Sequence, residues 1–215
     1  MAVSEEQIVS FINTLGNLAV AESNRRIANG QPYVLPSVCI AMSAHETGWG
    51  TSKPMQDYNA YFGIKPGSSW TGRVFSADTW EVYDGVPTNV TQLFRAYDSL
   101  EDSVADYYDL IINNSRYSNA LSTYPDNVKS GYDVLNSIWA GGYATDEDYV
   151  PNVWALYQGR SLEQWDSKVD GQTFDPNYSW EGGTGGGGTG STPGNPTGDG
   201  VPITYKFVKI KNLEL

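Results

Sequence analysis

SVCIAMSAHETGWGTS (residues 37–52) joins an apolar helical pattern to a glycine-containing turn and carries one carboxylate at the junction. Pro36 suits the first turn of a helix, and the residues after it are apolar around nearly the whole helical circumference. The pattern therefore predicts a helix that lies at the centre of the fold and ends at Gly48. Glu46 falls in its last turn, on the least apolar flank, which it shares with Ser43.

This position predicts an unusual pKa for Glu46. The negative end of the helix dipole and the apolar surroundings both disfavour a charged carboxylate, so both raise the pKa of the group. A carboxyl group that keeps its proton near neutral pH can serve as a general acid. Position alone leaves one alternative open, a structural glutamate that hydrogen-bonds the loop after the helix.

The composition argues against several classes of function. The chain has 215 residues, a formal net charge of −12, a single cysteine and a single histidine. The negative charge opposes binding to nucleic acid and to anionic membranes. Cys39 lies in the apolar helical run and is interpreted as an inert core thiol. HETGW lacks the second histidine of the H-E-x-x-H zinc motif, and His45 has no other histidine to join. We therefore predict no metal and no cofactor, and chemistry carried by carboxylates and tyrosines.

Helical patterns occupy both ends of the ordered chain. Ser4 and Gln7 form a capping-box pattern, and the Asn-Gly pair at 29–30 signals the end of the first helix. Three more helices are predicted in the second half of the chain. Ser99 is the expected N-cap of the first of them and Asp146 that of the last, which we expect to extend to the LEQW segment.

Residues 59–98 mix β-branched and aromatic residues around a turn signal at Asp84, which predicts a β-hairpin. The fold class is therefore α+β and mainly helical, with a helical body, a small β-hairpin lobe and a cleft between them. Glu81 on the hairpin is the leading candidate for a second carboxylate across the cleft, with Asp78 and Asp84 as competitors. Paired carboxylates on facing lobes are typical of glycoside hydrolysis.

The C-terminal part differs in composition. Residues 181–200 contain ten glycines, which predicts a flexible linker, and residues 201–215 are too short for a domain. We interpret residues 1–180 as the catalytic domain and residues 201–215 as a docking strand or the stub of another module. No run reaches transmembrane length and the start lacks a signal-peptide pattern, so we expect a soluble chain made in the cytoplasm.

Six segments resemble, in order and spacing, those of glycoside hydrolase family 73, the endo-β-N-acetylglucosaminidases that cut peptidoglycan. They are LPSVCIAMSAHETGWGTS, YNAYFGIK, TWEVYDG, FRAYDSLEDSVADYYDLI, RY and GGYATDEDYV. The resemblance covers roughly residues 6–166. It implies a lysozyme-like fold and hydrolysis of the β-1,4 bond between N-acetylglucosamine and N-acetylmuramic acid.

Carried over position by position, the resemblance assigns the general acid to Glu46 and the hairpin carboxylate to Glu81. It also places a tyrosine, Tyr143, in the cleft near the cleaved bond. Substrate contacts are expected from an amide and from four aromatic side chains that either stack on sugar or pack in the core: Asn59, Tyr61, Trp49, Trp70 and Tyr97.

The resemblance leaves the mechanism and the biological setting open. If Glu81 activates water, the reaction inverts the stereochemistry at the anomeric carbon. If the substrate's acetamido oxygen attacks instead, oriented by Glu81 or Tyr143, the reaction retains that stereochemistry. A muramidase, a lytic transglycosylase and a non-catalytic wall-binding or virion structural module are the alternatives. Because the substrate lies outside the cytoplasm, we expect a bacteriophage endolysin or tail lysin, or a fragment of a larger wall hydrolase. In a tail lysin, residues 201–215 would contact other virion tail proteins.

Overall fold

The computed structural model describes residues 3–83 and 86–171, except for the side chains of residues 80–83 and 86–87. The predicted linker at 181–200 and the segment 201–215 lie outside the described residues. In chain order the elements are α1 (Glu5–Ala28), α2 (Pro36–Thr47), α3 (Lys53–Tyr58), β1 (Val74–Tyr83), β2 (Val86–Arg95), α4 (Leu100–Ile112), a 3-10 helix (Ser115–Ala120), α5 (Gly131–Ala140), α6 (Tyr149–Gly159) and a second 3-10 helix (Leu162–Lys168).

Helix α2 is the centre of the core, as predicted. Every residue from 36 to 44 is buried, and α1, α6 and the second 3-10 helix pack against it. Pro36 occupies the first turn, where its missing N–H costs nothing. Gly48 ends the helix with a φ of 57°, a left-handed conformation that glycine adopts without strain. Within the described residues no helix is both long and apolar enough to cross a bilayer.

The N-cap and helix-end signals predicted in the N-terminal half of the chain are confirmed. In the capping box the backbone N–H of Gln7 donates to Ser4 Oγ at 3.2 Å, and that of Ser4 donates to Gln7 Oε1 at 3.1 Å. Helix α1 ends at Ala28, one residue before the predicted stop. Ser99 caps α4 by accepting a hydrogen bond from the N–H of Asp102 at 3.1 Å.

The last predicted helix needs two corrections, at its start and at its end. Helix α6 begins at Tyr149, and Asp146 instead stabilises the turn before it by accepting from the Asp148 N–H at 3.0 Å. The helix also stops at Gly159 rather than continuing to the LEQW segment. Ser161 interrupts the chain with a φ of 47°, after which the second 3-10 helix begins.

A tertiary contact explains this break. Trp165 of the second 3-10 helix packs on α1 at Gly16, where a Cβ atom would lie only 2.6 Å from the indole ring. The indole is fully buried. A continuous helix from residue 149 would place Trp165 elsewhere, so burial of this large side chain outweighs the local helical preference.

The predicted hairpin is confirmed as a two-stranded antiparallel sheet, in register from the pair Val74–Arg95 to the pair at residues 83 and 86. The base of the hairpin is fixed to helix α4 of the helical body. Arg95 forms a bidentate ion pair with Asp106 of α4 at 2.8 and 2.9 Å, and the Tyr97 hydroxyl donates to the same carboxylate at 2.6 Å. The fold class is therefore α+β and mainly helical, with the hairpin lobe attached to the helical body at α4.

Candidate active site

Glu46 lies immediately before an unusual turn. After Glu46 and Thr47, residues 48, 49 and 50 all have left-handed φ angles of 57°, 59° and 80°. Gly48 and Gly50 tolerate this conformation, but Trp49 does not do so without strain. The buried Thr47 hydroxyl holds the turn together, because it donates to the Ser43 carbonyl at 2.7 Å and accepts from the N–H of residue 50 at 3.0 Å.

Glu46 itself is partly buried and carries a strongly shifted pKa. Burial raises the pKa of its carboxyl group to about 8, against a smaller opposing effect of a hydrogen bond from Tyr149. The Tyr149 hydroxyl donates to Glu46 Oε1 at 3.3 Å. Within the described part of the chain, no lysine or arginine pairs with Glu46. The carboxyl group is therefore mostly protonated at neutral pH, as predicted from its position.

Uncharged rings surround this carboxyl group. Tyr149 is fully buried, and burial keeps its pKa well above the ordinary value. The His45 ring meets Tyr149 edge-on at a centroid distance of 5.2 Å, and burial lowers the pKa of His45. At neutral pH neither ring contributes a charge that would force the proton off Glu46.

The sequence alone did not identify Tyr149 as a site residue. It is separated from Glu46 by more than a hundred residues, and only the fold brings them together. The GGYATDEDYV segment contains both tyrosines, but the resemblance predicts a site residue only at Tyr143.

The placement of Tyr143 differs from the expectation that it lines the cleft. Its side chain is fully buried, and its hydroxyl donates to the Phe62 carbonyl at 2.9 Å. Its ring lies 6.1 Å from that of Tyr149. A hydroxyl that is sealed and already bonded cannot touch a sugar, so Tyr143 supports the wall behind the Glu46–Tyr149 pair.

The hairpin positions the second candidate carboxylate by its strand register. Residue Glu81 pairs with Thr88 and belongs to the same alternating set as Phe75 and Thr79, both of which are buried. The side chain of Glu81 is outside the described atoms, so its role stays a prediction. Asp78 belongs to the opposite, exposed set and accepts a hydrogen bond from its cross-strand partner Thr91 at 2.8 Å. Residue 84, the other competitor, lies outside the described residues.

Three of the predicted substrate contacts gather at the hairpin base. The Asn59 amide donates to the Tyr97 carbonyl at 3.3 Å, and Tyr97 is buried. Trp70 meets Tyr97 edge-on at 5.8 Å and lies under the Arg95 guanidinium at 4.6 Å. Asn59 and Tyr97 therefore hold the two lobes together, while the partly exposed Trp70 keeps a ring face within reach of a ligand.

The other two, Trp49 of the HETGWG turn and Tyr61, lie against α1. Both line a pocket of about 410 Å³ that is closed on its other side by α1. Phe11 of α1 contacts both rings, edge-on to Trp49 at 5.8 Å and stacked with Tyr61 at 6.2 Å. The predicted contacts thus form two groups, one at the base of the hairpin and one against α1. Among residues 3–83 and 86–171 no group of three or more histidine, cysteine or acidic side chains is arranged to hold a metal ion.

Comparison with known proteins assigns the chain to a family. The family model Glucosaminidase, described as mannosyl-glycoprotein endo-beta-N-acetylglucosaminidase, matches residues 25–162. The peptidoglycan hydrolase FlgJ of Vibrio parahaemolyticus is 36% identical over 129 residues, which are 58% of this chain and 40% of FlgJ. The chain therefore spans well under half of that relative's length.

Two solved structures resemble the fold closely. A peptidoglycan hydrolase mutant from Sphingomonas sp. A1 is 32% identical, with a TM-score of 0.59 over 73% of this chain and 97% of that one. The catalytic domain of the autolysin Auto from Listeria monocytogenes is 26% identical, with a TM-score of 0.62 over 77% of this chain and 91% of that one. In both cases the similarity extends over nearly the whole of the solved domain.

Proposed function

The chain belongs to the glucosaminidase family, glycoside hydrolase family 73, and from that premise we propose that it hydrolyses peptidoglycan. The bond cleaved is the β-1,4 linkage between N-acetylglucosamine and N-acetylmuramic acid. The observation that carries the proposal is the position of Glu46 in the last turn of the central helix, where the Tyr149 hydroxyl donates to its Oε1 at 3.3 Å and burial raises its pKa to about 8. The site of action is then the bacterial cell wall.

Glu46 acts as the general acid. As the bond between the anomeric carbon and the glycosidic oxygen breaks, the carboxyl proton moves to that oxygen, and the leaving sugar departs with a free hydroxyl group. The carboxylate left behind accepts the hydrogen bond of the Tyr149 hydroxyl, which already points at Oε1. Tyr149 therefore lowers the cost of giving up the proton without removing it from the resting enzyme.

A second group must stabilise the positive charge that develops on the sugar. We assign this role to Glu81 on the hairpin, either as the base that activates water or as the group that orients the substrate's acetamido oxygen. Carboxyl groups about 6.5–9.5 Å apart suit inversion with water, and about 5–5.5 Å suits a covalent route. Tyr143 is sealed behind the site and is not assigned a direct role.

The biological source of the chain and the setting in which it acts stay predictions. The relatives described above are bacterial proteins, and a phage-encoded lysin that acts during infection or lysis is the narrower version of the proposal. Contact of residues 201–215 with virion tail proteins belongs to that narrower version. A muramidase, a lytic transglycosylase and a non-catalytic wall-binding module are alternatives that the products of digestion separate.

The test is digestion of purified peptidoglycan followed by borohydride reduction and mass spectrometry of the fragments. A glucosaminidase leaves N-acetylglucosamine at the new reducing end, a muramidase leaves muramic acid there, and a transglycosylase leaves an anhydro end that does not reduce. Glu46→Gln is expected to lose turnover, whereas the exposed control Glu163→Gln keeps it. Muramic acid ends, or full activity of Glu46→Gln, would contradict the proposal.

A further inference from the structure

The pocket between α1 and the HETGWG turn has the size and lining of a ligand site. Its volume of about 410 Å³ is in the range of small-molecule sites. One wall is aromatic, formed by Phe11, Trp49 and Tyr61, and the rim is formed by exposed polar side chains of α1, including Ser10 and Thr14. Rings beside neutral hydrogen-bonding groups are what a sugar residue requires, because its ring faces are apolar and its edges are hydroxyl groups.

Packing against α1 holds the turn in a strained backbone conformation. Trp49 holds a φ of 59°, which a bulky residue adopts only when its surroundings enforce it. At Gly50 a Cβ atom would lie 3.0 Å from both Phe11 and Met55, so the turn can approach α1 only without a side chain there. The aromatic wall is therefore a built feature of the fold rather than a loose surface depression.

The same pocket is anchored to the helix end that carries Glu46. The Ser43 hydroxyl donates to the Tyr61 carbonyl at 3.1 Å, and Ser43 lies one turn before Glu46 on the same face of α2. Trp49 follows Glu46 by three residues. A ligand in the pocket is thus positioned by the same short segment that positions the acid.

The rim of the pocket comes from outside the family-matched part of the chain. The match begins at residue 25, whereas the α1 residues that line the pocket lie between residues 6 and 15. The catalytic residue and the pocket rim therefore belong to different parts of the sequence.

The charge of the lining selects among sugars. Among the described residues that line the pocket, Glu6 alone carries a full charge, and it is exposed at the rim. Arg160 lies over the outer side of Trp49 at 5.7 Å, and Glu5 pairs with it. N-acetylglucosamine is neutral, whereas Glu6 would repel the free lactyl carboxylate of an N-acetylmuramic acid residue that carries no stem peptide.

We propose that this pocket is a saccharide subsite that takes a neutral N-acetylated sugar residue of the glycan strand beside the cleavage position. The inference rests on the proposed function for the identity of the polymer. It adds that α1, through its first turns, determines which of the two alternating sugars occupies this side of the acid.

The test is calorimetric titration of a tetrasaccharide of N-acetylglucosamine into Glu46→Gln protein, which cannot turn it over. Adding Tyr61→Ala removes the half-exposed ring but keeps its backbone hydrogen bonds to Ser43 and Ser103. The Kd is expected to rise about tenfold, equivalent to about 1.4 kcal/mol. The matched control Tyr132→Ala removes an exposed ring that does not line the pocket and leaves the Kd unchanged.

A second variant keeps the test decisive if Tyr61→Ala does not fold. Glu6→Gln changes one exposed rim side chain, and it is expected to reduce the preference for the neutral tetrasaccharide over one that contains N-acetylmuramic acid by about two- to threefold. Glu163→Gln serves as its control. Equal Kd values for Tyr61→Ala and its parent, or no binding of the neutral tetrasaccharide at all, would overturn the subsite. Failure of the unsubstituted enzyme to cut peptidoglycan counts against the proposed function and leaves this titration valid.

Discussion

Replacing Glu46 by glutamine is expected to stabilise the folded protein at neutral pH while it abolishes turnover. Burial raises the pKa of this carboxyl group from 4.5 to about 8. Between those two values the unfolded chain releases the proton and the folded chain keeps it. Stability therefore falls as the pH rises through this window and is constant on either side of it. Glutamine carries no titrating proton, and its amide oxygen still accepts the hydrogen bond of Tyr149.

The size of the gain in stability for Glu46→Gln follows from the difference between the pKa values of Glu46 in the unfolded and the folded chain. Each pH unit within it costs the folded state at most about 1.4 kcal/mol, so the full window sets an upper bound of about 5 kcal/mol. Because Glu46 is only partly buried, solvent reduces this penalty, and we expect a gain of about 2–3 kcal/mol for Glu46→Gln at pH 7.5. Near pH 4 both proteins carry a neutral side chain, and the gain should vanish.

Urea unfolding at pH 4, 6 and 7.5 measures both proteins, with the exposed Asp126→Asn as the control for loss of a negative charge. The difference between Glu46→Gln and its parent should grow with pH, and that of the control should not. Parallel pH profiles for Glu46→Gln and the parent would refute a raised pKa at Glu46. The general-acid assignment would then lose its physical basis.

Further outcomes concern the pH dependence of activity and the packing of α1. Activity should fall as the pH rises through about 8, where Glu46 loses its proton. Tyr149→Phe removes a hydrogen bond that favours the carboxylate, so it should move this alkaline limit to higher pH in a kcat/KM profile. A shift of the limit to lower pH would contradict this role of Tyr149. Gly16→Ala would place a Cβ atom 2.6 Å from the Trp165 ring and should lower the free energy of unfolding by about 1–3 kcal/mol. Gly159→Ala, with nothing within 4 Å, should be neutral or stabilising by about 0.5–1 kcal/mol, and similar denaturation midpoints for the two variants would contradict the close packing at residue 16.

The local signals in the sequence predicted the fold well because they depend on neighbours a few residues apart. The Ser4 capping box, the central helix that ends at Gly48 and the N-cap at Ser99 are all confirmed. The raised pKa of Glu46 was also predictable, since a helix that is apolar on nearly every side must bury its last turn.

What the sequence did not reveal depends on contacts between distant residues. The short α3 went unpredicted because its six residues carry little periodicity. The break before the second 3-10 helix follows from the packing of Trp165 on Gly16, which no local pattern announces. For the same reason Tyr149 was missed as the partner of Glu46, and Tyr143 was expected in the cleft although its hydroxyl is bonded inside the core.

The length of the hairpin makes the position of its tip sensitive to small rotations at its base. Residue 81 lies seven positions beyond the strand pair at the base, which is roughly 23 Å along the strand, and the Arg95–Asp106 ion pair acts at that base. A rotation of about 10° there displaces residue 81 by roughly 4 Å, comparable with the difference between the carboxyl spacings of the two hydrolytic routes. The distance between Glu46 and the backbone of residue 81 therefore depends on how firmly the Arg95–Asp106 contact holds the base of the hairpin.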